Sequence, residues 1–240
     1  MLIGISLGPG DPDLLTFKAA DALRKSDKVF VPGGMAADLA RPFCRFEPEL
    51  LDFPMIDDKE KLEEVWRRNA EKVIEHAKSG SAAFACIGDV NTFSTFTRLK
   101  RVVLRMHPEI RVETIPGVGV LPALASRFGI ALDRSFQVTD GSEIETVIRM
   151  KAVRPKKAAE ELRNLGFDRF ILGVRLCTPD ERIIRDEMPE RSDYFSVLYA
   201  GKSTGEIGSR EDGRKTESSR RNPETRTETG TSEDSGTDGQ

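Results

Sequence analysis

Three glycine-bearing breaks are the places where this sequence could bring a ligand against its backbone. They are Gly8-Pro9-Gly10, Gly88-Asp89 and Pro116-Gly117, and each follows a short apolar run of strand length. A turn with glycine lets a ligand approach closely because no Cβ intrudes. The first break is not a dinucleotide fingerprint, since its glycines follow G-x-x-x-G-x-G, and it lacks the Lys-Ser/Thr of a phosphate loop.

Polar side chains next to the second break could contact such a ligand. The Asp89 carboxylate could accept hydrogen bonds from hydroxyl groups or an amine, and Ser94 and Thr95 offer hydroxyl groups at a predicted helix start. A structural role is the alternative for Asp89 and Ser94, because both residue types cap helices. The sequence contains no Ser/His/Asp pattern for nucleophilic catalysis, and it identifies no catalytic residue.

Composition excludes several other classes of function. The net charge of −3 gives no case for nucleic-acid binding. Cys44, Cys86 and Cys177 form no C-x-x-C pair, which favours reduced intracellular thiols, and the isolated His76 and His107 predict no metal site. No apolar run has membrane-spanning length and no basic region precedes the first one, so we expect a cytoplasmic protein without a signal peptide or a membrane partner.

The elements that must position the breaks alternate along the first half of the chain. Strands are predicted over 2–7, 28–32, 49–53, 81–87 and 111–115, and helices over 12–23, 59–79, 93–106 and 118–128. Asp11 and Pro12 are expected to open the first helix, and Trp66 is expected to lie in the core. The carboxyl ends of parallel strands meet at one edge of a sheet, so the three breaks should converge there.

The second half of the chain follows a less regular order. A helix running into a strand is expected over 143–152, followed by a predicted helix over 156–164 and strands over 169–177 and 193–200. Because strands and helices do not strictly alternate, we expect a mixed sheet. The predicted organisation is an α/β N-terminal lobe over 1–118, an α/β C-terminal lobe over 119–202, and a disordered polar tail over 203–240, which has too few apolar residues to form a core.

Two of the breaks carry the phrases of a known family. Residues 6–16 resemble the amino-terminal signature G-x-G-P-G-D-P-x-L-L-T of the tetrapyrrole (corrin/porphyrin) methyltransferases, with Ser6 in place of the first glycine. Residues 88–96 are similar to G-D-P-x-x-Y-S-T-F, the form in the branch acting on the C(20) meso carbon of precorrin-2 or cobalt-factor II. Here Val90 replaces the proline and Phe93 replaces the tyrosine.

The resemblance continues beyond the second break. Residues 113–120 resemble x-x-I-P-G-V-S-S, with Gly119 and Val120 in place of the two serines, and residues 147–151 are similar to V-V-x-M-K. Two further matches lie at 174–183 and 193–196. The likeness thus covers residues 1 to about 202 and excludes the tail.

This resemblance implies a two-lobed tetrapyrrole methylase-like α/β fold, with a parallel-sheet N-terminal lobe and a mixed-sheet C-terminal lobe, and a homodimer. It implies S-adenosylmethionine as methyl donor and a tetrapyrrole as substrate. The implied donor-binding residues are Pro9, Ile87, Gly88, Asp89, Phe93, Ser94, Thr95, Pro116, Gly117, Gly119, Val120 and Met150. The implied substrate-binding residues are Gly10, Asp11, Arg98 and Lys151, the last two because cations suit the substrate's carboxylates.

Two alternatives stay open at this point. The same fold could methylate another corrin position, or it could act as a diphthine-type methylase that modifies a protein histidine. A non-catalytic tetrapyrrole-binding protein is the second alternative, because Ser6, Val90, Gly119 and Val120 all depart from the family pattern.

Overall fold

The computed structural model of this chain describes residues 1–185 and 187–203. The predicted disorder of the tail concerns residues that, apart from Ser203, lie outside the described part. The chain divides into two compact units, Met1–Phe136 and Gln137–Gln240, whereas we expected the division after residue 118. The helix after residue 119 belongs to the first unit.

The first unit contains a five-stranded parallel sheet, as predicted. Its strands are β1 (Leu2–Ser6), β2 (Lys28–Val31), β3 (Glu49–Leu50), β4 (Ala82–Cys86) and β5 (Val112–Ile115). Its helices are α1 (Phe17–Lys25), α2 (Gly34–Ala40), α3 (Lys59–Ser79), α4 (Thr95–Met106) and α5 (Val120–Phe128). The strand order is β3-β2-β4-β1-β5, and every pair in it is parallel.

Local signals in the sequence explain the long helix and the central strand. The Asp58 side chain accepts a hydrogen bond from the backbone N–H of Lys61 and so caps α3, which ends before Gly80 as expected. Trp66, on the apolar stripe of α3, is only 6% exposed, which confirms its place in the core. All five residues of β4 are buried, as expected for a strand covered on both faces.

The start of α1 differs from the prediction. Asp11 and Pro12 do not open this helix: the Asp11 side chain accepts from the N–H of Asp13 and caps only a short 3-10 turn, Pro12–Leu14. Leu15 is extended, which interrupts the helical path, and Thr16 caps α1 through the N–H of Ala19. Two good capping residues, Asp11 and Thr16, lie close together here, and the second one caps α1.

A glycine in β1 allows α4 to pack closely on the sheet. A Cβ built on Gly4 would lie 2.6 Å from the ring of Phe96 and 2.9 Å from Val90 Cγ2, and both of these side chains are buried. The Phe96 ring also stacks on Phe84, with a centroid distance of 6.1 Å. The absence of a side chain at Gly4 is therefore required for α4 to pack this closely against the sheet.

The second unit has a four-stranded sheet and one helix. Its elements are β6 (Thr146–Met150), α6 (Pro155–Arg163), β7 (Arg169–Val174), β8 (Arg182–Ile184) and β9 (Ser196–Gly201). The strand order is β6-β9-β7-β8, and all three pairs are antiparallel, so the expected mixed sheet is wrong. Strands β6 and β7 do run in the same direction, but β9 lies between them and pairs antiparallel with both.

Two element boundaries in the second unit also differ from expectation. The segment over 143–152 forms the strand β6 and no helix. Strand β7 ends at Val174 instead of residue 177, because Arg175 and Cys177 adopt left-handed backbone conformations with φ of 50° and 66°. Among the described residues, no helix has both the length and the apolar character that a bilayer crossing would need.

Substituting Gly4 by alanine should destabilise the first unit by about 1–3 kcal/mol, because the new methyl group would overlap two buried side chains. Gly34→Ala is the matched control: its Cβ would meet no atom within 4 Å, and the position is helical. It should lose no stability. Urea unfolding of both variants measures the difference, and equal midpoints would contradict the packing argument.

Candidate functional site

The three breaks meet at one edge of the parallel sheet, as predicted. Leu7 N–H donates to the carbonyl of Cys86 over 2.9 Å, and Gly88 N–H donates to the carbonyl of Gly8 over 2.7 Å. Gly117 N–H donates to Asp89 Oδ2 over 3.0 Å. We call this surface the glycine edge and define it as residues 8–10, 87–90 and 116–119.

The backbone of the glycine edge needs residues without a side chain. Gly8, Gly10 and Gly88 have φ of 75°, 122° and 81°, which L-residues rarely adopt. A Cβ built on Gly10 or on Gly88 would meet no atom within 4 Å. The space over these two glycines is therefore open, and a ligand could lie directly against their peptide groups.

The Asp89 carboxylate connects two of the breaks. Its Oδ2 accepts the hydrogen bond from Gly117 N–H, while Oδ1 accepts from the N–H of Asn91 over 2.9 Å and from Thr92 Oγ1 over 3.3 Å. Asp89 therefore has a structural role, but it is not the helix cap that the sequence left open, because Ser94 is the N-cap of α4. A carboxylate has about four acceptor positions, so these bonds leave room for a ligand donor, and that contact stays a prediction.

Ser94 performs the capping role that was its alternative interpretation. Its Oγ accepts from the N–H of Phe96 over 3.0 Å and caps α4, and it lies 3.3 Å from Cys86 Sγ. Burial raises the pKa of the Cys86 thiol, which keeps this group protonated beneath the edge. Thr95 is the first residue of α4, so its hydroxyl group lies at the helix terminus nearest the glycine edge.

Exposed apolar side chains lie beside the open peptide groups of the glycine edge. Ile87, Pro116 and Val120 are exposed at or directly after the glycine edge. The Phe93 ring is 69% exposed, and its residue has a φ of 48°, an uncommon conformation for a non-glycine residue. Strain of this kind is concentrated at functional sites. Exposed apolar groups beside open peptide groups suit a ligand that is partly aromatic and partly polar.

The predicted substrate-binding residues of the first unit already have partners. The Arg98 guanidinium lies 4.8 Å from the centroid of the Trp66 ring, which orients its plane. The Asp11 side chain accepts from Asp13 N–H, as described above. Gly10 is exposed at the glycine edge itself, and the structure therefore brings it, but not Arg98, into the set of converging turns.

Two predicted residues belong to the second unit. Met150 is the last residue of β6, and its side chain is 66% exposed. Lys151 follows with a φ of 53°, and its Nζ lies 5.2 Å from the centroid of the Tyr194 ring. Hydrogen bonding to the Tyr194 hydroxyl raises the pKa of Lys151, so this side chain is a persistent cation. The roles of both residues toward a ligand stay predictions.

The sequence did not predict that Ser6 supports the glycine edge. The sequence treats Ser6 only as a departure from a pattern, yet its buried hydroxyl group donates to the carbonyl of Ile115 over 2.7 Å and accepts from Val90 N–H over 2.9 Å. A signal was available: Ser6 is the single hydroxyl residue of the apolar run over 2–7, and it directly precedes the first break.

Comparison with known proteins finds a matching family and curated relatives. The family model Tetrapyrrole (Corrin/Porphyrin) Methylases matches residues 1–190. A probable cobalt-precorrin-2 C(20)-methyltransferase of Methanocaldococcus jannaschii is 30% identical over 219 residues, which cover 81% of this chain and 93% of the relative. The cobalt-precorrin-2 C(20)-methyltransferase of Salmonella typhimurium is 31% identical over 135 residues, which cover 52% of this chain and 56% of the relative.

Among solved structures, a uroporphyrin-III C-methyltransferase of Thermus thermophilus, crystallised with S-adenosylhomocysteine, is similar with a TM-score of 0.42 and 22% identity. The likeness covers 83% of this chain and 96% of that chain. The family assignment depends on the family model, which spans well over half of the sequence, and on the relative from M. jannaschii. This chain belongs to the tetrapyrrole (corrin/porphyrin) methylases.

Proposed function

We propose that this chain transfers a methyl group from S-adenosylmethionine to the C(20) meso carbon of precorrin-2 or cobalt-factor II in cobalamin biosynthesis. The observation that carries the proposal is the glycine edge, in which three family motifs meet beside open peptide groups. The relative from M. jannaschii, whose name states this reaction, matches the chain over most of its length. When bound, the donor supplies a methyl group already activated by its sulfonium.

The glycine edge fits such a donor. The open space over Gly10 and Gly88 gives the amino-acid or ribose part direct access to peptide groups, and Asp89 adds a carboxylate that can accept from hydroxyl or ammonium groups. The exposed Phe93 ring offers an apolar surface to the rest of the nucleoside.

The chemistry asks mainly for positioning. A conjugated meso carbon is itself the nucleophile, so the protein must hold it about 3 Å from the donor methyl group and in line with the bond that breaks. The substrate carries many carboxylates, and we assign part of their recognition to the cation Arg98. Arg98 is oriented in advance by the Trp66 ring, which reduces the entropy lost on binding.

Methyl transfer is tested by incubating the purified chain with S-adenosylmethionine carrying a labelled methyl group and, in separate reactions, precorrin-2 and cobalt-factor II. We expect the product mass to rise by that of one CH2 group plus the excess mass of the label, because a proton leaves the carbon that gains the methyl group. The label should lie at the C(20) carbon by NMR. A label at another carbon would favour a different corrin methylase. Donor binding without transfer to either substrate would favour the alternatives of a diphthine-type methylase or a non-catalytic binder.

The variant Gly88→Ala should weaken the binding of S-adenosylhomocysteine at least tenfold, because its methyl group would occupy the open space of the glycine edge. Gly166→Ala is a matched control, since Gly166 in the second unit has a similar φ of 87° and an equally open Cβ position. Both variants incur the same backbone strain. Calorimetry that gave the two variants equal affinity would remove Gly88 from the donor site.

We also propose a homodimer, which the family resemblance implies. No residue of α5 is buried, and Val120, Leu124 and Phe128 follow one another at a spacing of four residues, so they share one exposed apolar face. An apolar helix face of this kind marks an interaction surface. A second copy of the chain is the occupant that we assign to it.

Light scattering coupled to size-exclusion chromatography tests the dimer. The unaltered chain should have twice the monomer mass, and Phe128→Asp should shift it to the monomer, because a charge cannot be buried unpaired in an apolar interface. Phe17→Asp is the control, since Phe17 is equally apolar and 97% exposed at the start of α1. A dimeric Phe128→Asp variant would rule out this face.

A further inference from the structure

The hydroxyl group of Ser6 makes hydrogen bonds to two other segments that form or support the glycine edge. Ser6 is the last residue of β1 and is completely buried. Its Oγ donates to the last carbonyl of β5, that of Ile115, and accepts from the N–H of Val90 in the break after β4. It also lies 3.4 Å from Asp89 Oδ2. One side chain therefore connects the ends of three strands.

The third break also packs directly on this residue. A Cβ built on Gly117 would lie 2.5 Å from Ser6 Cβ, so the Pro116-Gly117 turn rests against the serine with no room for a side chain. The same Gly117 donates its N–H to Asp89 Oδ2. The packing of Gly117 on Ser6 and its hydrogen bond to Asp89 thus fix the distance between the second and third breaks.

Ser6 and Val90 depend on each other. The N–H of Val90 is buried, and removal of the serine hydroxyl group would leave this donor without its acceptor, which is costly in a buried position. Proline at position 90 is excluded by the present geometry for the opposite reason. It has no N–H to donate, and its ring would place a carbon where the hydrogen now points, against an oxygen 2.9 Å from the nitrogen.

We propose that Ser6 is a positioning residue of the donor site, which acts by holding the break over 87–90 through Val90 N–H. The inference rests on the proposed function where it concerns the donor. One part of the inference does not depend on the donor. Ser6 and Val90 are energetically coupled, because the hydroxyl acceptor at position 6 requires an N–H donor at position 90. A residue without a hydroxyl group at position 6 requires a residue without an N–H at position 90.

A double-mutant cycle tests the pair. Ser6→Gly and Val90→Pro are made singly and together, and the affinity for S-adenosylhomocysteine is measured by calorimetry beside the unfolding midpoint in urea. Each single variant should bind on the order of tenfold more weakly, because one buried hydrogen bond at the edge is lost or obstructed. The double variant should recover to within about threefold of the unaltered chain, since nearby coupled changes are not additive.

Val90→Ala supplies the matched control. It removes methyl groups but keeps the backbone N–H, so Ser6→Gly combined with Val90→Ala should show no recovery relative to Ser6→Gly. If Val90→Pro alone does not fold, the comparison of Ser6→Gly with the double variant decides the question, and recovery supports the pair. Additive losses of affinity, or a Ser6→Gly variant that loses stability but keeps full affinity, would overturn the positioning role.

The test separates this inference from the proposed function. If the unaltered chain does not bind S-adenosylhomocysteine, the proposed function fails and the role of Ser6 in donor binding fails with it. The coupling of Ser6 with Val90 is then judged on the unfolding midpoints alone: a double variant more stable than Ser6→Gly supports the pair, and additive midpoints overturn it.

Discussion

The position of β1 between β4 and β5 is the constraint on which the candidate site depends. Leu2 lies opposite both Ala82 and Val112, and this register continues in step until the three strands end together. Because both pairings are parallel, the chain leaves all three strands at the same edge. Turns that are distant in sequence thereby become one surface, and no side chain of the site would be in place without this alignment.

The polar groups beneath that surface are largely paired with one another. Asp89 accepts from two backbone N–H groups, and Ser6 both donates and accepts across strand ends. Hydrogen bonds to a carboxylate are the stronger class, so they make the edge rigid before any ligand arrives. A rigid edge loses little entropy on binding, and it leaves recognition chiefly to open peptide groups and exposed apolar side chains.

Sequence reasoning predicted the features that local chemistry determines. The apolar stripe predicted α3, the continuous apolar run predicted β4, and the glycine breaks after parallel strands predicted a common edge. It did not predict the antiparallel second sheet, because the insertion of β9 between β6 and β7 is a non-local pairing without a local signal. It placed the start of α1 at Asp11 because two capping residues compete there, and only the path of Leu15 decides between them.

The departures from the family pattern at Ser6, Val90, Gly119 and Val120 are not equivalent in physical terms. Ser6 and Val90 are joined by a buried hydrogen bond, so these two departures from the family pattern are one coupled change and not two independent ones. Gly119 is different, because a Cβ there would lie 3.8 Å from Asp89 Cβ, which is an ordinary contact, and a serine could be accommodated. Nothing in the packing of the described residues therefore requires glycine at position 119. Gly119 is partly exposed and Val120 is exposed, so these two positions can affect what the glycine edge binds, whereas the buried Ser6 and Val90 affect how the edge is held in place.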